Sequence, residues 1–464
     1  MGEQEPSVRG EYEGAELGDR RLNARLQTIA EALEAKPDAG FPNAMTEAEL
    51  EAFYRFLSND RVDADRVLAP HVEATVGRCA GRDTVLCVQD TTVFKFGTPR
   101  EGLGEYAGQT LFGHIVMAVG LDGVALGVVG LSPWARGNDT VRQRRLRGEK
   151  IPHGADGWPN EQDRWMSTVA QTEEVFEDGP SLIHVMDSEA DDYTILRKLV
   201  SGPHRFIIRA GGNRRLQVQD DGPNKLREFV SSSPIVCTRE VHLSKRAKTR
   251  FRVNTKQKLP RQSRQATLSI GAGAVQLRAP QYYRKKVAHP LALNVVWVRE
   301  VDVGDGIEPV EWTLMTTEPI DTEEQILAVV DSYRHRWKIE ELFKALKTGC
   351  AYEKRQLGSY RTLVNALALL LPIAWNLLRL RTIAQQGGDE PAETVLSSVE
   401  LDVLRHAAEK PLPKHPTVRQ AMLAIARLGG HLKRNGEPGW MVLGRGYLKL
   451  LDLCQGFLIA KRCD

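Results

Sequence analysis

The sequence predicts an α/β chain: a mixed sheet with a β-rich insertion, flanked by helical N- and C-terminal segments. Three observations predict it. Short β-rich runs alternate with helical periodicity between about 83 and 209, and two of these runs end on an aspartate. Residues 213–316 are β-rich with long basic loops. The stretches before 75 and after 384 read as helix.

Composition sets the outer limits. The chain has 464 residues, with 63 Lys plus Arg against 60 Asp plus Glu, so 63 − 60 = +3. At roughly 100–200 residues per domain this suggests about three domains. A chain with 42% hydrophobic and 27% charged residues is neither disordered nor collagen-like. The balanced charge does not announce a nucleic-acid binder, so that case must rest on local patches. The six cysteines include no CxxC and no histidine at zinc-finger spacing, which points to reduced intracellular thiols rather than structural zinc. The N-terminus has neither a basic start nor an apolar run, so no signal peptide is expected. The apolar stretch 363–380 contains Asn365, Pro372 and Asn376 between Arg361 and Arg381. It reads as a buried helix and not a membrane span. The expected location is the cytoplasm.

The elements follow in order. Asp19 is a candidate N-cap, with Arg20, Arg21 and Arg25 in the turns after it, and further short helices are expected near 25–36 and 47–57. A strand over 83–90 closes on Asp90. Leu121-Asp122-Gly123, between two apolar runs, marks a hairpin. A helix near 160–177, a strand over 181–187 closing on Asp187, a helix near 190–201 and a strand over 205–209 complete a mixed sheet. Between Arg239 and Arg264 ten basic residues, among them Arg246, Lys248 and Arg250, face a single acid, Glu240. One helix is expected from Asp321 to Leu346, with Thr322 near its start and Gly349 as its stop. Residues 361–383 form a buried helix, 387–391 a linker, and the rest is mostly helical.

Two aspartates at neighbouring strand ends would emerge at one edge of the sheet. Hard divalent cations bind such carboxylates together with phosphate oxygens, and a metal pair about 4 Å apart serves both attacking and leaving oxygens. Aspartates at strand ends are also common for structural reasons. On the expected helix, Tyr333, Arg336, Glu340 and Lys347 are spaced +3, +4 and +7 and fall on one face. That face suits a metal-holding carboxylate among phosphate-gripping groups. A salt-bridged surface helix is the plainer alternative. His114, His184 and His335 have no ligand spacing and read as structural.

Tyr333-x2-Arg336-x3-Glu340-x6-Lys347, with Gln89-Asp90-Thr91-Thr92 and Asp187-Ser188-Glu189-Ala190-Asp191, resembles the signature of bacterial IS-four-type DDE transposases. Leu17-Gly18-Asp19-Arg20-Arg21 and 54–59 match in order, although Arg20 and Leu22 depart from the family pattern. The resemblance runs along nearly the whole chain. It implies an RNase H-like catalytic core over 76–383, interrupted by a β-rich insertion at about 213–316. Ahead of it would lie a helical end-binding domain, 1–75, and behind it a helical dimerisation domain, 384–464.

It further implies that Asp90, Asp187 and Glu340 are a catalytic triad holding two Mg²⁺ ions, with Mn²⁺ as a substitute. Tyr333, Arg336 and Lys347 would hold the transposon-end backbone. Such enzymes act as a homodimer on double-stranded DNA: they cut, form and open a hairpin, and join the 3′ ends to target DNA. Hairpin formation favours an extruded base stacked on an aromatic ring. Trp312 is at the matching position, whereas Trp297, among valines, is the expected core tryptophan. Arg246, Lys248 and Arg250 would clamp end DNA in a salt-dependent way, and Arg21 and Arg25 would contribute to end recognition. A non-catalytic inhibitor and a nuclease without strand transfer are the competing readings.

Overall fold

The computed structural model describes residues 8–35, 40–103, 109–135, 161–217, 222–243, 262–281, 289–304, 307–385, 389–432 and 438–463. Arg246, Lys248 and Arg250 lie outside the described residues. Helices α1 (Arg20–Ala35), α2 (Phe41–Ala44), α3 (Glu47–Ser58) and α4 (Ala64–Cys79) come first, followed by strands β1 (Thr84–Lys95), β2 (Thr110–Gly120) and β3 (Ala125–Trp134). Helix α5 (Glu161–Val175), β4 (Ser181–Met186), α6 (Tyr193–Ser201), β5 (Arg205–Arg209) and α7 (Leu226–Ser232) follow. The insertion supplies β6 (Cys237–Leu243), β7 (Arg264–Leu277), β8 (Leu291–Val301) and β9 (Glu311–Thr316). Helices α8 (Glu323–Arg334), α9 (Trp337–Lys344), α10 (Tyr360–Gln385), α11 (Ser398–Ala407), α12 (Val418–Leu428) and α13 (Trp440–Cys463) close the chain.

These elements form two compact units, one of residues 1–159, 170–181 and 337–464, the other of 160–169 and 182–336. In the first unit β3, β2 and β1 pair antiparallel in that order. The β2–β3 hairpin turns at the expected place: Gly123 adopts φ 79°, and the Asp122 carboxylate accepts the Val124 N–H at 3.0 Å. Helix α10 is the apolar stretch noticed in the sequence. It is long and apolar enough to cross a membrane, yet 78% of its apolar window is buried inside the protein. Two of its buried polar side chains find backbone partners, since Asn365 donates to the Leu57 and Val62 carbonyls and the Trp375 indole donates to the Ala125 carbonyl.

A buried polar network holds the start of the chain to this unit. Glu11 accepts both terminal nitrogens of Arg78 at 2.8 and 3.1 Å and His71 Nδ1 at 2.5 Å. His71 Nε2 accepts the Val128 N–H at 2.9 Å, which places the ring proton on Nδ1 and leaves the imidazole neutral. Burial pushes the His71 pKa below 6.5, against the raising effect of Glu11. Burial also pushes Glu11 upward, but the His71 bond and the Arg78 guanidinium outweigh it and hold the carboxyl below 4.5. Both folded-state values are lowered, so both groups contribute stability that is complete above the unfolded values and lost as pH falls. Tm should therefore drop between pH 7 and pH 5 through His71, then further below about 4.5 through Glu11. Calorimetry on His71→Gln should show a flatter profile between pH 7 and 5; an unchanged slope would remove His71 as the cause.

The second unit has the strand order β4-β5-β9-β8-β7-β6. The β4–β5 pair is parallel and the other pairs are antiparallel, which makes the sheet mixed as expected. Trp165, Tyr193, Leu196, Phe206, Ile208 and Met315 lie in its core. Trp297 is only 5% exposed and sits over Gly271, where an added Cβ would lie 2.4 Å from the indole. It is the core tryptophan, as its valine neighbours suggested.

Two expectations need correction. Asp90 does not close its strand but sits inside β1, opposite Ile115 of β2. Aspartate is a poor strand former, yet β1 continues to Lys95 because its backbone stays paired with β2 as far as Thr110, while Gln89 and Thr91, on the opposite face, bond His114. The helix expected from Asp321 to Leu346 is two helices and a π turn. After Tyr333 the Arg336 N–H bonds Tyr333 O at 3.0 Å, a tight three-residue closure that ends α8. Residues Ala345–Gly349 then widen into the π turn, closed by Cys350 N–H to Ala345 O at 2.8 Å.

Candidate active site

In the first unit, α9 packs against β1, which makes the helix of Glu340 and the strand of Asp90 neighbours. Asp90 is 8% exposed, and its Oδ1 accepts the Thr91 N–H at 2.7 Å. Glu340 is half-buried. Ile339, Leu342 and Phe343 are the buried apolar residues of α9. Glu341 further fixes that helix, meeting Lys338 at 3.7 Å and Arg381 at 3.4 Å, while the Arg381 guanidinium stacks 4.5 Å over Trp440.

Lys347 rides on the π turn, with its ammonium 5.4 Å from the Phe94 ring centroid of β1. Burial lowers its pKa, and Lys95 adds to this while Glu353 opposes it. His114 is a satisfied structural histidine held between Thr91 and Gln89, as its lack of ligand spacing implied.

In the second unit, Asp187 directly follows β4, and its Oδ1 accepts the Glu189 N–H at 2.7 Å. Tyr333, near the end of α8, is 5% exposed. Burial raises its phenol pKa, Asp187 nearby pushes it the same way, and Arg336 and Arg209 oppose, Arg336 partly by hydrogen bonding the hydroxyl. The Arg336 guanidinium lies 6.0 Å from the Tyr333 ring centroid. Trp312, half-buried on β9, meets the same ring edge-on at 5.7 Å between centroids. One carboxylate, two guanidiniums, a phenol and an indole thus gather in this unit.

The unit boundary falls between Arg336 and Trp337, inside the motif itself. Tyr333 and Arg336 belong with Asp187, whereas Glu340 and Lys347 belong with Asp90. Among the described residues, no three His, Cys, Asp or Glu side chains are grouped to hold a metal ion. Asp90, Asp187 and Glu340, the carboxylates singled out in the sequence, each offer only oxygen, the donor chemistry that suits a hard divalent cation.

Sequence reasoning missed Arg209. It is the last residue of β5, and a basic residue ending a strand next to one that leads into Asp187 was the available signal. It also passed over Trp337, whose indole is 51% exposed with the Lys344 ammonium 5.1 Å from the ring. Arg21 is exposed on α1, and the half-buried Arg25 lies close enough to Glu49 to lower its carboxyl pKa, behind the two bonds from Thr46. Of the basic run, the two described residues are ion-paired: Arg239 with Asp331 at 2.7 Å and Arg264 with Glu300 at 2.8 Å.

Comparison with known families gives two matches. A transposase DNA-binding model covers residues 5–62, which include Arg21 and Arg25. A transposase DDE-domain model covers residues 168–377, which include Asp187, Trp312, Tyr333, Arg336, Glu340 and Lys347 but not Asp90. Among solved structures, the cryo-EM structure of a piggyBac transposase synaptic complex with hairpin DNA is similar at 9% identity. It covers 97% of this chain and 78% of that one with a TM-score of 0.36, a likeness too loose to bear on fold or function.

Proposed function

Because the chain is a DDE transposase, with a transposase DNA-binding domain ahead of an RNase H-like α/β core that carries the transposase DDE domain, we propose that Asp90, Asp187 and Glu340 are its catalytic triad. In this reading it belongs to the IS-four group, near the Tn-five transposase. It cuts transposon ends, passes through a DNA hairpin and transfers the strands to target DNA as a homodimer in the bacterial cytoplasm. The triad takes two Mg²⁺ ions, with Mn²⁺ as a substitute. Residues 1–75 bind the ends and 384–464 support dimerisation. The observation that carries the reading is the cluster around Tyr333. A buried phenol with the Arg336 guanidinium 6.0 Å from its ring and Trp312 edge-on against it, within electrostatic reach of Arg209 and of the carboxylate that follows β4, suits a grip for a phosphate about to react.

When bound, the cations polarise the scissile phosphate and activate the attacking oxygen. The protein does the rest. Arg336 and Arg209 offer planar guanidiniums to the non-bridging oxygens, and the Tyr333 hydroxyl adds a donor. These groups orient the backbone for in-line attack, which is the main contribution a protein makes to phosphoryl transfer. Lys347 adds positive charge, its ammonium held on the β1 side near Phe94. Successive water and 3′-OH attacks use the same geometry, so one site serves hydrolysis, hairpin formation, hairpin opening and joining.

Trp312 braced on Tyr333 is suited to stack an extruded base. Its replacement, Trp312→Ala, should leave the first nick unchanged and slow hairpin formation about tenfold, in line with a stacking worth roughly 1–3 kcal/mol. Normal hairpin kinetics would remove Trp312 from the mechanism. The function itself is tested by incubating the purified protein with a supercoiled plasmid bearing the element's flanking ends and Mg²⁺. Excision with a hairpin intermediate and joined products is expected. Nicks without joining would indicate a nuclease, and end binding without cleavage an inhibitor.

A further inference from the structure

We propose that Asp191 is a positioning residue that sets the Asp187 carboxylate for metal binding, with Arg214 as its counter-charge; this rests on the reading of Asp187 as a ligand. The stretch after β4 holds three aspartates, Asp187, Asp191 and Asp192, and their surroundings separate their roles. Asp192 caps α6 by accepting the Thr194 N–H at 2.7 Å.

The Asp191 side chain is 2% exposed, and four donors converge on it. Its Oδ2 accepts the Gly211 N–H at 2.7 Å and the Gly212 N–H at 3.1 Å. Its Oδ1 accepts Arg214 Nε at 2.8 Å and Nη2 at 2.5 Å, and Nη2 also donates to the Asp191 carbonyl. A carboxylate so enclosed has no acceptor left to offer a cation.

What it holds is the turn that carries Asp187. The Asp191 N–H bonds Ser188 O and the Ala190 N–H bonds Asp187 O, both at 3.3 Å, so Asp187 to Asp191 form one closed turn. The chain leaving β5 lies against that turn. A Cβ at Gly211 would sit 3.1 Å from Ser188 O and 3.3 Å from Ser188 Cβ, tighter than most Cβ contacts, so the two segments approach closely. Arg209, two residues before Gly211, acts on Tyr333, and Asp187 acts on the same phenol. One buried ion pair thus ties the proposed metal ligand to the strand end bearing a phosphate-gripping arginine. Partners that orient a ligand in this way typically change metal affinity by about 10–100-fold when lost.

The test is Mn²⁺ binding to the full-length protein, read from the loss of the free-ion EPR signal, without DNA and without turnover. Asp191→Asn should weaken Mn²⁺ binding by at least about tenfold. Arg214→Lys, which keeps the charge but not the fork, should weaken it in the same direction. Glu300→Gln breaks another buried Arg–carboxylate pair of the same unit, with Arg264, and should cost stability without moving Mn²⁺ affinity. Wild-type affinity in both Asp191→Asn and Arg214→Lys, or an equal loss in Glu300→Gln, would overturn the proposal. Undiminished binding in Asp187→Ala would instead overturn the ligand role of Asp187.

Discussion

Glu340→Gln should lose DNA cleavage by about a thousandfold or more while binding transposon ends as the wild type does. The substitution keeps the shape of a half-buried side chain on α9, whose packing rests on Ile339, Leu342 and Phe343. It removes one negative oxygen donor from the set proposed to hold the cations. A thousandfold loss corresponds to about 4 kcal/mol of transition-state stabilisation, the scale expected for metal-assisted phosphoryl transfer. The check is a plasmid-excision assay beside a gel-shift titration of the same preparation. Parallel loss of cutting and binding would mean that Glu340 supports the helix and not the chemistry. Retained cutting would remove it from the triad.

The largest expected effect on stability lies far from the chemistry. Glu11→Ala should destabilise the first unit by about 3 kcal/mol, or about 5 °C in Tm for a unit of this size. The reason is asymmetric. Deleting the acid leaves the Arg78 guanidinium, 28% exposed, and the Nδ1–H of a fully buried His71 without their shared acceptor. The partial exposure of Arg78 keeps the figure at the low end for a broken buried pair. Thermal unfolding followed by calorimetry reads it. A shift below about 1 °C would mean that water replaces the carboxylate at no cost.

Much of the fold was legible because its signals are local. The Leu121-Asp122-Gly123 turn, the N-cap at Asp19, which accepts the Arg21 N–H at 2.8 Å, and the apolar run of α10 each depend on a few neighbouring residues. The break at His335 was not legible, because no proline or glycine marks it. It arises from a three-residue closure at the end of α8 that helical spacing alone does not disclose. The length of β1 was misjudged for a related reason: the partner that carries the strand beyond Asp90 to Lys95 is the antiparallel strand β2.

The site divides the same way. The types and spacing of Tyr333, Arg336, Glu340 and Lys347 are properties of the chain and carry the resemblance to the transposase signature without a structure. Arg209 and Asp191 are not found by spacing, since each acquires its role from residues distant in sequence or from donors that only folding brings near. By itself the sequence determined the class of protein, the α/β order and the identity of the proposed reacting groups, because motif and periodicity are written within a few turns of chain. Tertiary structure alone decided which guanidiniums flank Tyr333, which aspartate is enclosed by Arg214 and which one begins the turn beyond β4. Burial and hydrogen-bond partners are set by what packs against a residue, and that packing is assembled from segments far apart in the chain.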